Sequence, residues 1–251
     1  MAETILVTGA SAGFGQAICR RLVADGHRVI GAARRIEKLQ ALHKELGEAF
    51  YPLQMDVTDL TQVDQALSSL PADWEQIDVL VNNAGLALGL APAQKAETAD
   101  WLTMIQTNII GLTYLTRQIL PQMVERNDGY VINMGSTAGT VPYPGANVYG
   151  ASKAFVKQFS LNLRADLAGK QIRVTNIEPG LCEGTEFSSV RFKGDEKRVE
   201  ALYRDAHAIQ PEDIANTVSW LIQQPKHVNV NRIEIMPVSQ TFGPQPVYRG
   251  D

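Results

Sequence analysis

"TGASAGFG", residues 8–15, follows the apolar run at 5–7 and precedes a segment in which Ile18 and Leu22 share a helical stripe. Glycines at 9, 13 and 15 let the backbone approach a pyrophosphate, and the first turn of a following helix offers unpaired N–H groups at its positive dipole end. A tight turn uses the same residue type, so the glycines alone are ambiguous. With a strand before and a helix after, the loop reads as a dinucleotide cradle, and Ser11 and Phe14 join Gly9, Gly13 and Gly15 as candidate cofactor contacts.

Beyond this loop the same rhythm continues. "TILVTGA", "HRVIGAA", "AFYPLQMDV", "IDVLVNNAG", "GYVINMGS", "IRVTNIEPG" and "NRIEIMPV" are strand candidates, separated by amphipathic stretches such as Ile36, Leu39, Leu42 and Leu46. Asp25-Gly26 and Leu46-Gly47 supply helix stops. Nearly continuous apolar strands need cover on both faces, so the expected fold is α/β: a Rossmann-type, doubly wound parallel sheet of about seven strands. No repeat or low-complexity linker divides residues 1–251, which are expected to form one catalytic domain. Leu181 to about Gln210, rich in charge, Ser and Gly, breaks the rhythm and is expected to act as a substrate lid.

At 251 residues, 45% hydrophobic, 20% charged and with a net charge of −4, the chain has no basic excess that would suggest nucleic acid or an acidic membrane. A small molecule is the expected partner. Cys19 and Cys182 are isolated thiols without disulfide or metal-ligand spacing, so no metal is expected. No apolar run approaches membrane-spanning length and no signal pattern opens the chain; a cytoplasmic location is expected.

Two positions refine the nucleotide. Where an NAD-binding protein usually places an acid after the second strand, Ala33 is followed by Arg34 and Arg35. Two guanidiniums can pair with a 2′-phosphate that a carboxylate would repel, which favours NADP(H). At the end of the fourth strand candidate, the small residues of "NNAG" (82–85) permit close passage of a cofactor, making Asn83, Ala84 and Gly85 candidate contacts.

"NVYGASKAF", residues 147–155, places Tyr149 four residues before Lys153, on one face of a helix, and Ser136 ends the preceding strand. A nearby ammonium and an oxidised nicotinamide would both favour the phenolate, so Tyr149 is the candidate general acid/base. Ser136 would hydrogen-bond the reacting oxygen.

The T-G-x-x-x-G-x-G loop, "NNAG" and the ordered Ser136, Tyr149 and Lys153 resemble the short-chain dehydrogenase/reductase family over nearly the whole chain. That resemblance implies that Asn108 in "IQTNIIG" completes the catalytic set through a water relay to Lys153, which also holds the nicotinamide ribose beside Tyr149. It implies that Asp56-Val57 contact adenine, that Pro179 and Gly180 lie beside the nicotinamide, and that the protein is a homotetramer. "GTEFSSVRFKGD" and "NRIEIMPV" look like the bacterial NADP-dependent 3-hydroxy acid dehydrogenase branch, with sulfoacetaldehyde reductases as near relatives.

The expected substrate is therefore a short anionic aldehyde or its hydroxy acid: sulfoacetaldehyde giving isethionate, or malonic semialdehyde giving 3-hydroxypropanoate. Candidate contacts are Ser136 and Tyr149 at the oxygen, with Arg191, Tyr143, Asn147 and Arg249 toward the anion, and Lys193 as a further lid cation. The alternatives are a reductase of bulkier ketones or 3-ketoacyl thioesters, and a non-catalytic NADP-binding regulator on the same fold.

Overall fold

The computed structural model describes residues 2–242. Seven parallel strands form one sheet: β1 (Thr4–Thr8), β2 (Arg28–Ala33), β3 (Phe50–Gln54), β4 (Val79–Asn82), β5 (Gly129–Met134), β6 (Ile172–Pro179) and β7 (Arg232–Ile235), in the order β3-β2-β1-β4-β5-β6-β7. Strand order reverses between β1 and β4, and the crevice at such a switch point is where open α/β sheets bind ligands. The two strand ends are stitched there. Asn83 Nδ2 donates to the Thr8 carbonyl at 2.8 Å, while the Thr8 hydroxyl accepts from the backbone N–H groups of Asn83 and Ala84 at 3.0 and 2.9 Å.

Alternation along the buried strands divides the core into two layers. Ile5, Val7, Val29, Val81 and Ile132 face the layer of α1 (Gly13–Ala24), α2 (Ile36–Leu46) and the later helix at Pro211–Gln223, which meets α1 through Ile214, Val218 and Leu221. Leu6, Ile30, Leu80 and Val131 face the opposite layer. It is filled from α3 (Leu60–Ser68), α5 (Leu112–Arg126) and α6 (Asn147–Asp166) by Val63, Leu115, Ile119, Met123 and Leu163.

The edges depart from the expectation of full cover, for local reasons. Pro52 removes a ladder donor from β3 and is tolerated because β3 is an edge strand. At the other edge, Arg232 and Glu234 of β7 point outward while Ile233 and Ile235 pack against the core.

Between β4 and β5, α4 (Thr98–Ile105) runs into a wide π-helical turn at Gln106–Gly111 before α5 begins. The stretch after β6 folds into α7 (Phe187–Arg191) and α8 (Glu196–Tyr203) before α9, the Pro211–Gln223 helix. Its two ends are pinned to each other: Ile209 N–H donates to Leu181 O at 3.1 Å and Glu183 N–H to Ile209 O at 3.0 Å. Among the described residues no helix is long and apolar enough to cross a membrane, and no cluster of three or more His, Cys, Asp or Glu could hold a metal ion.

Leu22 is fully buried on α1 against the sheet layer that also receives α9. Leu22→Ala is expected to cost about 2–5 kcal/mol, read as a lowered denaturant midpoint at unchanged slope.

Candidate active site

A cavity of about 620 Å³ opens at the carboxyl ends of the strands, within the range usual for ligand pockets. Gly9, Ser11, Gly13 and Phe14 line its floor, and Arg34, Arg35, Asp56, Val57, Asn83, Ala84 and Gly85 continue along one side. Gly15 lies just behind that floor, where a Cβ would stand 2.3 Å from the Gly9 carbonyl oxygen, so only glycine lets α1 start this close to β1. The helix carries no side-chain cap and no acid in its first turn, which leaves its N–H groups and positive dipole end open toward the cavity. A side-chain-free cradle, an uncapped helix start and two guanidiniums fit the pyrophosphate and 2′-phosphate of a dinucleotide.

Arg35 is oriented by Ser11, whose hydroxyl accepts from Nε and Nη2 at 3.3 and 3.1 Å. Asp56 uses Oδ1 to hold the Thr58 N–H and hydroxyl at 2.9 and 2.8 Å, which fixes the turn carrying Val57.

At the far end, Ser136, Tyr149 and Lys153 share one wall with Pro179 and Gly180. Lys153 is buried, its Nζ donating to the Met134 carbonyl at 2.8 Å and lying 6.0 Å from the centre of the Tyr149 ring. Burial pushes this ammonium down from 10.5 to about 8. Burial also pushes the Tyr149 phenol up to about 12, with the Ser136 hydroxyl and the Arg191 guanidinium acting in the opposite direction. Within the protein alone, desolvation of the buried phenol outweighs the opposing pull of Ser136 and Arg191.

Asn108 lies in the wide turn, and its side chain is fully engaged. Oδ1 accepts from Leu86 N–H at 2.9 Å, and Nδ2 donates to Leu86 O at 2.9 Å and to the Ser152 hydroxyl at 3.0 Å. A Cβ on Gly85 would meet Asn108 Oδ1 and Lys153 Nζ at 3.3 Å each, so this glycine is where the two side chains converge.

Toward the opening, Arg191 donates through Nη2 to the Tyr143 hydroxyl at 2.9 Å and through Nε to Gly89 O at 3.3 Å. Its guanidinium lies 5.4 Å from the centre of the Tyr149 ring. Two other expected substrate contacts, Asn147 and Lys193, are engaged elsewhere. Asn147 is committed to the fold: Oδ1 accepts from Trp101 Nε1 at 3.1 Å and from Val148 N–H at 2.9 Å, and Nδ2 donates to Ala91 O at 3.1 Å. It fastens the start of α6 to the loop after β4 and does not line the cavity. Lys193 is likewise drawn away, to Asp100 at 2.9 Å. Arg249 lies outside the described residues.

A family model described as short chain dehydrogenase matches residues 3–196. The chain belongs to the short-chain dehydrogenase family. It is 57% identical over 245 residues to the NADP-dependent 3-hydroxy acid dehydrogenase YdfG of Escherichia coli K12, covering 98% of this chain and 99% of that one. It is 51% identical to the serine 3-dehydrogenase of Agrobacterium fabrum, covering 99% of both. Among solved structures, the closed form of a serine dehydrogenase complexed with NADP+ superposes with a TM-score of 0.97 at 56% identity, covering 98% of this chain and 100% of that one.

Sequence reasoning missed several side chains that shape the site of this dehydrogenase. Phe187 meets Tyr149 edge-on with ring centres 5.7 Å apart, and Gln240 Oε1 accepts from Leu181 N–H at 2.7 Å beside Gly180. Only "EFSSVRF", an aromatic and a cation at helical spacing in an otherwise polar stretch, carried a signal for the first.

Because folding disfavours the Lys153 ammonium, the unfolded chain holds more protons between about 8 and 10.5, and stability rises with pH across that window. Lys153→Met is therefore expected to stabilise the cofactor-free protein at pH 7 by about 3 kcal/mol. The advantage shrinks as pH approaches the ordinary lysine value, as denaturant titrations at both pH values will show.

Proposed function

We propose that this dehydrogenase interconverts a short 3-hydroxy acid and its carbonyl form using NADP(H). The observation that carries this reading is Arg191: its guanidinium is held by Tyr143 and Gly89 in the same cavity as Ser136, Tyr149 and Lys153. A planar fork so placed can take a carboxylate through paired hydrogen bonds while the carbon-bound oxygen lies at Tyr149. The relatives' activities, a 3-hydroxy acid dehydrogenase and a serine 3-dehydrogenase, support the same class.

In the reductive direction the Tyr149 hydroxyl donates its proton to the carbonyl oxygen of the substrate while the Ser136 hydroxyl hydrogen-bonds that oxygen. In oxidation the phenolate takes the hydroxyl proton. When bound, the nicotinamide would supply or accept the hydride, and the positive charge of its oxidised ring would favour the phenolate. Lys153 steadies the phenolate and holds the ribose, and Asn108 fixes the loop from Gly85 to Leu86 against which the Lys153 ammonium lies. Gly9, Ser11, Gly13, Phe14 and Gly15 hold the pyrophosphate end, Arg34 and Arg35 the 2′-phosphate, and Asp56 with Val57 the adenine. Asn83, Ala84, Gly85, Pro179 and Gly180 bound the nicotinamide half.

Within this reading residues 1–251 form one catalytic domain and residues 181–210 its lid. Serine-like hydroxy acids, malonic semialdehyde and sulfoacetaldehyde are the substrates to compare. Arg191→Ala is expected to raise KM for the carboxylate substrate at least about tenfold, as loss of a charge-assisted pair requires, and to leave an uncharged aldehyde of equal length nearly unaffected. Equal rates with NADPH and NADH, or an unchanged KM, would overturn the assignment.

We further infer a homotetramer in a reducing cytoplasm. Cys19 and Cys182 are both free, and Leu102 and Phe155 stand 61% and 39% exposed on α4 and α6, apolar surface that a partner would cover. Light scattering giving a monomer at micromolar concentration would refute the assembly.

A further inference from the structure

The lid is fastened to the rest of the molecule on both sides of the cavity. On the substrate side, Gly89 N–H donates to Arg191 O at 3.0 Å and Lys193 pairs with Asp100. On the adenosine side a single residue, Glu186, makes the ion pairs. Arg35 donates to it through Nη1 at 3.1 Å and Nη2 at 2.8 Å, a two-point fork, and Lys38 Nζ reaches Oε1 at 2.8 Å. A carboxylate beside a site for a 2′-phosphate is electrostatically unwelcome unless it does something else there.

We propose that Glu186 is a latch: it holds the lid closed by sharing Arg35 and Lys38 with the cofactor's 2′-phosphate, and so ties substrate positioning to the cations that distinguish NADP from NAD. The inference rests on the lid and NADP assignments made above. Glu186 immediately precedes α7, whose Phe187 packs on Tyr149 and whose Arg191 guanidinium lies 5.4 Å from the same ring, so a shift of residue 186 moves both. Arg35 has five N–H donors and a planar shape, enough to hold Ser11 and Glu186 and still face a phosphate, with Arg34 exposed beside it.

Three cations and one carboxylate leave the cluster net positive, so the dianion is attracted with Glu186 in place. Arg35 and Lys38 pull the Glu186 carboxyl down to about 2, which keeps it charged at any working pH. The side chains of Glu186 and Arg35 are 49% and 39% exposed, so the latch is releasable, as a lid that opens every turnover requires.

Glu186→Gln keeps the shape and removes the charge, and Lys38→Met removes one of the two cations that pair with Glu186. In the cofactor-free full-length protein, amide hydrogen exchange over residues 187–203 is expected to quicken about threefold in each variant, with α9 unchanged. With NADPH bound, KM for the carboxylate substrate is expected to rise by a similar factor in Glu186→Gln. Raising salt from about 50 to about 500 mM should loosen the parent lid more than that of the Gln variant, which keeps only the Lys193–Asp100 pair of these ion pairs. Unchanged exchange in both variants overturns the latch. So does tighter NADPH binding by fluorescence at unchanged exchange, which would make Glu186 only a competitor of the phosphate. Exchange in the cofactor-free protein does not depend on which substrate is turned over, so failure of the hydroxy acid assignment and failure of the latch are separately visible.

Discussion

Everything at the carboxyl edge of the sheet depends on how closely α1 approaches the end of β1. The 2.3 Å that a Cβ at Gly15 would leave to the Gly9 carbonyl means the helix start and the strand end share one wall. That approach puts an uncapped helix terminus at the switch point, and it sets the seat for α9, which packs on α1 through Ile214, Val218 and Leu221. Thr8 and Asn83 then lock β1 to β4, so the floor of the nucleotide cavity and the "NNAG" turn move as one piece.

The reacting end is built against its own stability. A buried ammonium and a buried phenol are both pushed toward their neutral forms by the same desolvation, yet the proposed chemistry calls for the phenolate. Such a site is pre-organised for a ligand that brings positive charge with it. Away from it, the two layers that flank the sheet are built mainly of apolar side chains. Cys182, also in the cavity wall, is driven the same way: burial pushes its thiol up to about 12, which disfavours the thiolate.

What could be read in the sequence was what local pattern encodes. The parallel, doubly wound sheet follows from crossover rules that apply to any alternating chain, and the glycine loop, Ser136 and the Tyr149–Lys153 spacing are each set by the few residues around them. The rest was hidden because it depends on distant partners. Asn147 sits two residues before Tyr149 and looked free for a ligand, but Trp101 and Ala91, each more than forty residues away, claim its amide. Lys193 and Arg191 are near neighbours of similar charge, but Asp100 draws one away while Tyr143 and Gly89 hold the other in the cavity. Glu186 gave no signal at all, since its partners Arg35 and Lys38 lie about 150 residues upstream.

The wide turn at Gln106–Gly111 has a further bearing on Asn108. Bonds that reach one residue farther than in an α-helix slip the helix out of phase, so α4 and α5 do not share a common angular register. The slip sets Gly111 against the Val57 carbonyl, where a Cβ would stand at 2.6 Å, while Asn108 faces Leu86 and Ser152. Within four residues the wide turn thus meets both the segment carrying Val57, through Gly111, and the loop at Leu86, through Asn108.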